Sequence, residues 1–331
     1  MAKVTYNGQI VDTDADTSLL EALLAQGCEI PNSCRAGACQ SCLMQATKGE
    51  IPAQAQAGLK ETLKAQGYLL ACRCYPHQDM EVRLPASDAV RIPVTVVEEE
   101  MLAADVKRLR VRPEADFVYR PGQYVTLWCD ARLGRSYSLA SVPGRDDHLE
   151  MHIKLVPDGR MSRWVHEQLH VGDRLLLQGP AGNCFYVPGA PRQNLLLAGT
   201  GTGLAPLYGI ARDALLAGHQ GDIYLLHGAP EPSGLYLREE LAALARVHEN
   251  FHYISCVLAS DGPLPEGVQL GAIDELALGV APSLVGWKIY LCGVPQLVNQ
   301  LRKKIFLAGA GINDIYADPF LSAADARKAA A

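Results

Sequence analysis

The sequence predicts a multidomain chain, α+β at its start and α/β at its end with an all-β stretch between, and three observations carry that prediction. A knot of cysteines between Cys34 and Cys74 marks a small α+β module. Short β-rich runs separated by turn residues then fill the middle, as in an antiparallel barrel. An apolar run, Leu195-Leu196-Leu197-Ala198, finally opens into a glycine-rich loop, as in a doubly wound parallel sheet. At 331 residues there is room for two or three domains, each with its own core. The net charge of −6 speaks against nucleic acid as the main partner. Met1 to Gly8 holds no apolar segment of the secretory type, so the ten cysteines point to a reducing compartment, with the cytoplasm as the expected location. Thiols there serve as metal ligands, catalytic groups or packing. The uncharged run from Gln193 to Ala211 is long enough to raise the question of a membrane span. It is interrupted by Gly199, Gly201, Gly203, Pro206 and Gly209, and no span is expected.

In the first module, residues 3–6 and 9–13 flank Asn7-Gly8, a hairpin signal because a type I′ turn needs positive φ at both positions. Ser18-x-x-Glu21 reads as a capping box. The helix it starts has Leu19, Leu20, Leu23 and Leu24 as its apolar face and Gly27 as its stop. Cys34, Cys39 and Cys42 follow at C-x4-C-x2-C, and a fourth thiol comes about thirty residues later, in the plant-type spacing for a [2Fe–2S] cluster. Each iron needs tetrahedral sulfur, and two bridging sulfides leave four positions for protein thiolates. Ala36, Gly37 and Ala38 let the backbone fold tightly and aim amide N–H groups at the sulfurs. Zinc competes on chemistry, but structural zinc sites more often pair cysteines through C-x2-C knuckles. Disulfides are disfavoured without a secretion signal. Both Cys72 and Cys74 stand where the fourth ligand is needed, while Cys28 reads as a small buried hydrophobe. Acidic residues outnumber basic ones through residue 88, which gives a solvated face that also suits docking to a basic redox partner.

After the junction Leu84-Pro85-Ala86-Ser87-Asp88, strands are expected at 92–97, 106–111, 123–129, 135–140, 148–155 and 174–178. Arg135-Ser136-Tyr137-Ser138 opens one of them, and strand alternation puts Arg135 and Tyr137 on one face and Ser138 on the other. Gly159-Arg160-Met161-Ser162 lies between a strand and a helix expected from Arg163 to Leu169. Such a turn offers free N–H groups and a favourable dipole to phosphate oxygens.

In the last third, the loop Gly199-Thr200-Gly201-Thr202-Gly203-Leu204-Ala205-Pro206 runs into a helix to about Leu216. Strand, loop and helix are the context phosphate binding requires, although the spacing is not the G-x-G-x-x-G of the dinucleotide fingerprint. Further strands are expected at 222–227, 252–258 and 288–291, with helices near 236–246 and 295–307. The last of these strands ends in Cys292-Gly293-Val294-Pro295.

These motifs carry a family resemblance. Gly67-Tyr68-Leu69-Leu70-Ala71-Cys72 resembles the closing segment of plant-type ferredoxins, and Arg135-x-Tyr137-Ser138 resembles the flavin signature of the ferredoxin reductases. The Gly199–Pro206 loop and the Cys292-Gly293-x-Pro295 turn resemble the pyridine-nucleotide motifs of the same family. From Cys34 onward, the motif order is similar to three-domain NADH-dependent ferredoxin-type reductases. Examples are the reductase components of phenol, toluene and methane monooxygenases and of benzoate dioxygenase. The resemblance covers nearly the whole chain and implies a β-grasp ferredoxin domain (1–88), an antiparallel β-barrel FAD domain (89–190) and a doubly wound parallel-sheet NAD domain (191–331). It makes Cys34, Cys39, Cys42 and Cys72 the iron ligands and Cys74 a bystander.

For FAD, the resemblance implies that Arg135 meets the pyrophosphate, Tyr137 the isoalloxazine and Ser138 the flavin N5, with Gly159, Met161 and Ser162 at the phosphates and Phe320 beside the ring. For the nucleotide it implies Gly199, Thr200, Gly201, Gly203 and Pro206 in the loop, with Cys292 and Gly293 beside the nicotinamide. Glu231 would accept from a ribose 2′-OH and repel a 2′-phosphate, which favours NADH. Ser138 and Cys292 would align the hydride donor with its acceptor. The expected function is electron transfer from NADH through FAD and the [2Fe–2S] cluster to an oxygenase or hydroxylase component, by a chain that is monomeric when isolated. The alternative is a reductase serving a non-oxygenase acceptor, such as a deoxysugar dehydratase, or a general NADH:acceptor reductase.

Overall fold

The computed structural model describes residues 2–14, 16–32, 35, 37, 40, 42–85, 91–130, 133–190 and 192–320. The chain divides into two compact units, Met1–Ala89 and Val90–Ala331.

The first unit contains β1 (Ala2–Tyr6), β2 (Gln9–Thr13), α1 (Leu19–Ala25), β3 (Leu43–Lys48), α2 (Glu61–Ala65), β4 (Tyr68–Leu70) and β5 (Met80–Arg83). Asn7 and Gly8 take the positive φ values that the hairpin requires. Ser18 and Glu21 form the expected capping box, each side chain meeting the other's backbone N–H at 3.3 Å. The sheet order is β2-β1-β5-β3-β4, with β1 and β5 parallel and the other pairs antiparallel. Leu19, Leu20 and Leu23 of α1 pack on Val4, Met44, Leu69 and Leu70 to form the core. Each such side chain contributes about 1.5–3 kcal/mol on burial. Cys28 is half-buried at the edge of this core rather than inside it.

The second unit holds two sheets. The first contains β6 (Ile92–Ala103), β7 (Val106–Pro113), β8 (Tyr124–Trp128), β9 (Gly134–Ser138), β10 (Leu149–Lys154) and β11 (Arg174–Ala181) in the order β10-β7-β6-β11-β8-β9. An antiparallel bridge from Leu139 to Met151 brings the two edges together, so the sheet curls into a barrel around Val94, Leu109, Val125, Leu127 and Met151. Its helix α3 spans Arg160–Glu167 and starts three residues earlier than the sequence predicts, with Gly159 at the N-cap. Lys107 fixes the far end of α3. Its buried ammonium donates to the Val165 and His166 carbonyls (3.1 and 3.2 Å) and pairs with Glu99 at 2.7 Å.

The second sheet contains β12 (Leu195–Thr200), α4 (Leu204–Leu216), β13 (Ile223–Ala229), α5 (Arg238–Val247), β14 (Phe251–Val257), β15 (Val268–Leu270), α6 (Ile273–Gly279), β16 (Lys288–Gly293), α7 (Pro295–Leu307) and β17 (Ile315–Pro319). All its pairs are parallel, in the order β15-β14-β13-β12-β16-β17. The strand order therefore reverses between β12 and β16, and in such sheets the crevice at that reversal is the place for a ligand. The uncharged run from 193 is accounted for as β12, its loop and α4. Among the described residues no helix is long and apolar enough to cross a membrane. Barrel and parallel sheet share a core, with Val106, Cys184 and Tyr186 packed among Leu195, Leu204 and Tyr290.

One buried carboxylate gives this unit a pH signature. Burial pushes Asp213 on α4 up to about 6, against the pull of Arg120. Its native pKa lies above the unfolded value, so the stability linked to it is full below about pH 4 and is lost as pH rises through about 6. Asp213→Asn is expected to stabilise the FAD-loaded second unit at pH 8 by about 1–2 kcal/mol, or roughly 2–6 °C in Tm. The gain should vanish by about pH 4, and thermal melts at the two pH values measure it.

Candidate functional site

Two of the four expected cluster thiols, Cys34 and Cys39, lie outside the described residues. The other two are buried and held close in backbone: the Ala71 N–H donates to the Cys42 carbonyl at 3.0 Å, directly beside Cys72. Arg35, Gly37 and Gln40, the described residues between Asn32 and Cys42, all have positive φ. A Cβ on Gly37 would stand 3.0 Å from Arg73 Cγ, which shows how closely the loop approaches the segment bearing Cys72. Cys74 is buried in the same core as Cys42 and Cys72, with its carbonyl accepting from the Leu19 N–H at 2.8 Å. No group of three or more metal-ligating side chains occurs among the described residues. The loop and its two described thiols fit a cluster held by four cysteines.

On the barrel, β9 pairs with β8 so that Arg135 stands opposite Leu127, Tyr137 opposite Val125 and Ser138 opposite Tyr124. Arg135 is exposed, and its guanidinium donates to its neighbour's carbonyl on Gly134 at 2.7 Å, leaving further donors for an anion. Burial pushes the Tyr137 phenol above its ordinary range. At the start of α3, Met161 is buried in the barrel core and Ser162 is spent internally. The Ser162 Oγ accepts from the Val156 N–H at 3.1 Å and donates to the Gly159 carbonyl at 3.2 Å. A Cβ on Gly159 would collide with that hydroxyl. What the turn can offer a phosphate is therefore backbone N–H, with Met161 and Ser162 shaping it from behind.

In the parallel sheet, the glycine loop leaves the carboxyl end of β12 and presses against the end of β16. A Cβ on Gly199 would stand 2.9 Å from the Cys292 carbonyl oxygen, and one on Gly203 would overlap the same group. Gly201 has φ +54 and Gly293 φ +120, conformations that suit glycine. Pro206 is buried in the first turn of α4. Thr200 Oγ1 is buried without a hydrogen-bond partner among the described residues, an orphaned polar atom in the loop that a dinucleotide would occupy. Glu231 is exposed just beyond β13. Arg238 donates to the Glu266 carbonyl at 2.5 Å. The Phe320 N–H donates to the Gly293 carbonyl at 2.8 Å, which holds that half-buried ring beside the same turn.

The two residues expected to align hydride transfer come from different sheets and are joined by a third that the sequence did not single out. Asp318 lies on β17 directly opposite Cys292, and the Ser138 side chain comes close enough to act on its carboxylate. Burial pushes Asp318 up to about 6, with the nearby Ser138 side chain working the other way. Cys292 is fully buried, its thiol well above the ordinary range from burial and from Cys184, whose sulfur is 3.8 Å away. Asp318 and Cys184 carry no local signal, since an isolated Asp before proline and an isolated Cys after Asn become site residues only when strands and loops converge.

Comparison with known proteins agrees with this geometry. Residues 4–77 match the 2Fe-2S iron-sulfur cluster binding domain family, 93–186 the oxidoreductase FAD-binding domain family and 197–303 the oxidoreductase NAD-binding domain family. The reductase component of a naphthalene 1,2-dioxygenase system from Pseudomonas putida is 34% identical over 95% of this chain and 96% of its own. The reductase subunit of an aromatic O-demethylase from Amycolatopsis is 34% identical, covering 89% and 91% of the two chains. Among solved structures, an Amycolatopsis cytochrome P450 reductase superposes with a TM-score of 0.67 at 31% identity, over 97% of this chain and 99% of that one. The protein belongs to the family of three-domain ferredoxin, FAD and NAD reductases that includes the reductase components of oxygenase systems: it is an electron-transferring oxidoreductase that binds [2Fe–2S], FAD and NAD(H).

Proposed function

We propose that this chain is the NADH-dependent reductase component of an oxygenase or hydroxylase system in the cytoplasm, organised as domains 1–88, 89–190 and 191–331. The observation that carries the reading is the meeting of Ser138 and Cys292, from two different sheets, at Asp318. The relatives named for naphthalene dioxygenase, phenol hydroxylase and xylene/toluene monooxygenase systems support an oxygenase component as the acceptor.

When bound, NADH supplies a hydride, FAD takes up two electrons and passes them on singly, and the cluster carries one at a time. Around that chemistry the chain's residues bind and orient. Cys34, Cys39, Cys42 and Cys72 hold the iron. Arg135 and the backbone N–H groups of Met161 and Ser162, in the turn that Gly159 leaves open, hold the FAD pyrophosphate, while Tyr137 and Phe320 pack against the ring. Gly199, Thr200, Gly201, Gly203 and Pro206 shape the cradle for the dinucleotide phosphates. Cys292 and Gly293 seat the nicotinamide, and Ser138, oriented by Asp318, faces the acceptor atom. Glu231 meets the ribose 2′-OH. Arg238 directs one of its guanidinium donors to the Glu266 carbonyl.

Three measurements test these assignments. Cys72→Ser should lose the cluster absorbance and acid-labile sulfide, whereas Cys74→Ala should keep both and pay only in stability; bleaching of the Cys74 variant instead would reassign the ligand. NADH should outperform NADPH in kcat/KM, since like charges in close contact cost on the order of a few kcal/mol. Glu231→Gln should narrow that preference, and an NADPH preference in the unaltered protein would overturn it. Cys292→Ala should slow flavin bleaching by NADH at saturation by up to about 10²-fold, the cost of roughly 1 Å of misplacement. The dithionite-reduced variant should still deliver electrons at the normal rate, and a stopped-flow trace unchanged by the substitution would leave Cys292 as packing.

A further inference from the structure

A polar chain runs through the buried contact between barrel and parallel sheet and ends beneath the nucleotide loop. Glu150 on β10 is almost fully buried and paired with Arg110 at 2.8 Å and Arg108 at 3.5 Å. It also meets His152 Nε2 at 3.0 Å. The other ring nitrogen of His152, Nδ1, is 3.1 Å from the hydroxyl of Tyr236, which belongs to the segment between β13 and α5 of the parallel sheet. Both side chains are buried, so this hydrogen bond is shielded from water and bridges the two halves of the unit. The Tyr236 ring also contacts His227 edge to face, with centroids 5.3 Å apart. His227 is fully buried at the end of β13, directly opposite Gly199 of the loop, with neither ring nitrogen hydrogen-bonded in ordinary geometry among the described residues. From the barrel side, Arg108 reaches Glu240 on α5 at 3.7 Å.

Three features set this joint apart from ordinary packing. It spends a buried hydroxyl and two buried imidazoles where apolar side chains would cost less. Its direction of travel is from the strand pair that carries the barrel's charge cluster to the strand next to β12. Its far end lies at the register position of the glycine loop. A rotation of one sheet against the other would have to break the His152–Tyr236 hydrogen bond and leave both groups unpartnered.

We propose that Tyr236 is a positioning residue for hydride transfer: through its hydroxyl on His152 and its ring on His227, it fixes the nucleotide loop relative to the flavin barrel. Tyr236 touches neither substrate nor cofactor, and it acts by setting the separation of the nicotinamide and flavin sites. The proposal rests on the reading of Ser138 and Cys292 as the hydride-transfer site.

The test uses the full-length protein loaded with FAD and cluster. Tyr236→Phe removes only the hydroxyl. NAD⁺ affinity, measured by equilibrium titration, should stay within about twofold, because the loop itself is intact, while flavin reduction at saturating NADH should slow by roughly tenfold or more. His152→Phe, which also gives up the contact with Glu150, should slow reduction at least as much, and the double variant should be no slower than His152→Phe alone, since the Tyr236 hydroxyl then has no bond on His152 left to lose. Unchanged reduction in Tyr236→Phe overturns the proposal, as does additive slowing in the double variant. A lower Tm with a normal reduction rate overturns it too, and leaves the hydroxyl as a structural group. Cys292→Ala in the same assay separates the two readings. If it also reduces normally, the assignment of the hydride site fails; if it is slow while Tyr236→Phe is not, the positioning role alone fails.

Discussion

The glycine loop after β12 rests directly on the backbone of Cys292 and Gly293, and the active region of the second unit depends on that contact. A side chain at Gly199 or Gly203 would meet the Cys292 carbonyl, so the close approach of β12 and β16 exists only because those positions lack a Cβ. The contact lies where the strand order of the parallel sheet reverses. It brings the phosphate cradle, the thiol at the end of β16 and, through β17, Asp318 and Phe320 to one rim. Ser138 arrives at the same rim from the barrel. A hydride donor and its acceptor need this kind of convergence, because orientation rather than acid–base chemistry sets the rate.

Convergence of two sheets needs something to hold them in register, and the interface does so with charge and with apolar packing. Burial works to raise the pKa of Glu150, but the neighbouring His148 and His152 imidazoles and the field of Arg108 prevail and hold it well below the usual carboxylate range. Arg212 on α4 is likewise buried against Asp146 at 2.7 Å, tying the helix after the glycine loop to the barrel. Such pairs contribute little net stability against apolar replacements, but losing one partner strands a charge at about 3–5 kcal/mol. Their directional geometry fixes one arrangement of the two sheets. The apolar core shared by Val106, Tyr186, Leu195 and Leu204 supplies the attraction.

The first unit solves a different problem, which is to hold thiols around a cluster in a small fold. Its core is built by α1 on the five-stranded sheet, and the Leu19 N–H to Cys74 carbonyl bond joins that helix to the segment bearing Cys72. Cys72 and Cys74 flank Arg73 at the end of a single 3-10 turn, and both thiols are buried in that core.

Much of this protein was legible in its sequence because the signals are local. Asn7-Gly8 determines a hairpin, Ser18 and Glu21 determine a helix start, and Leu195–Ala198 running into glycines determines a buried parallel strand and its phosphate loop. Cysteine spacing likewise encodes a cluster, since the loop geometry it needs is set by a few consecutive residues. Weakly periodic elements such as β3, β4, α6, β15 and β17 escaped because each is short, and only packing on or pairing with a neighbour makes it regular. The helix at α3 began earlier than predicted because Met161 and Ser162 are drawn into the barrel, a tertiary preference that local propensity does not contain. Asp318, Cys184, His227 and Tyr236 could not be read from the chain at all. Their importance arises from residues far apart in the chain meeting in space, and only the packing of barrel against parallel sheet decides which distant side chains share a buried, low-dielectric contact.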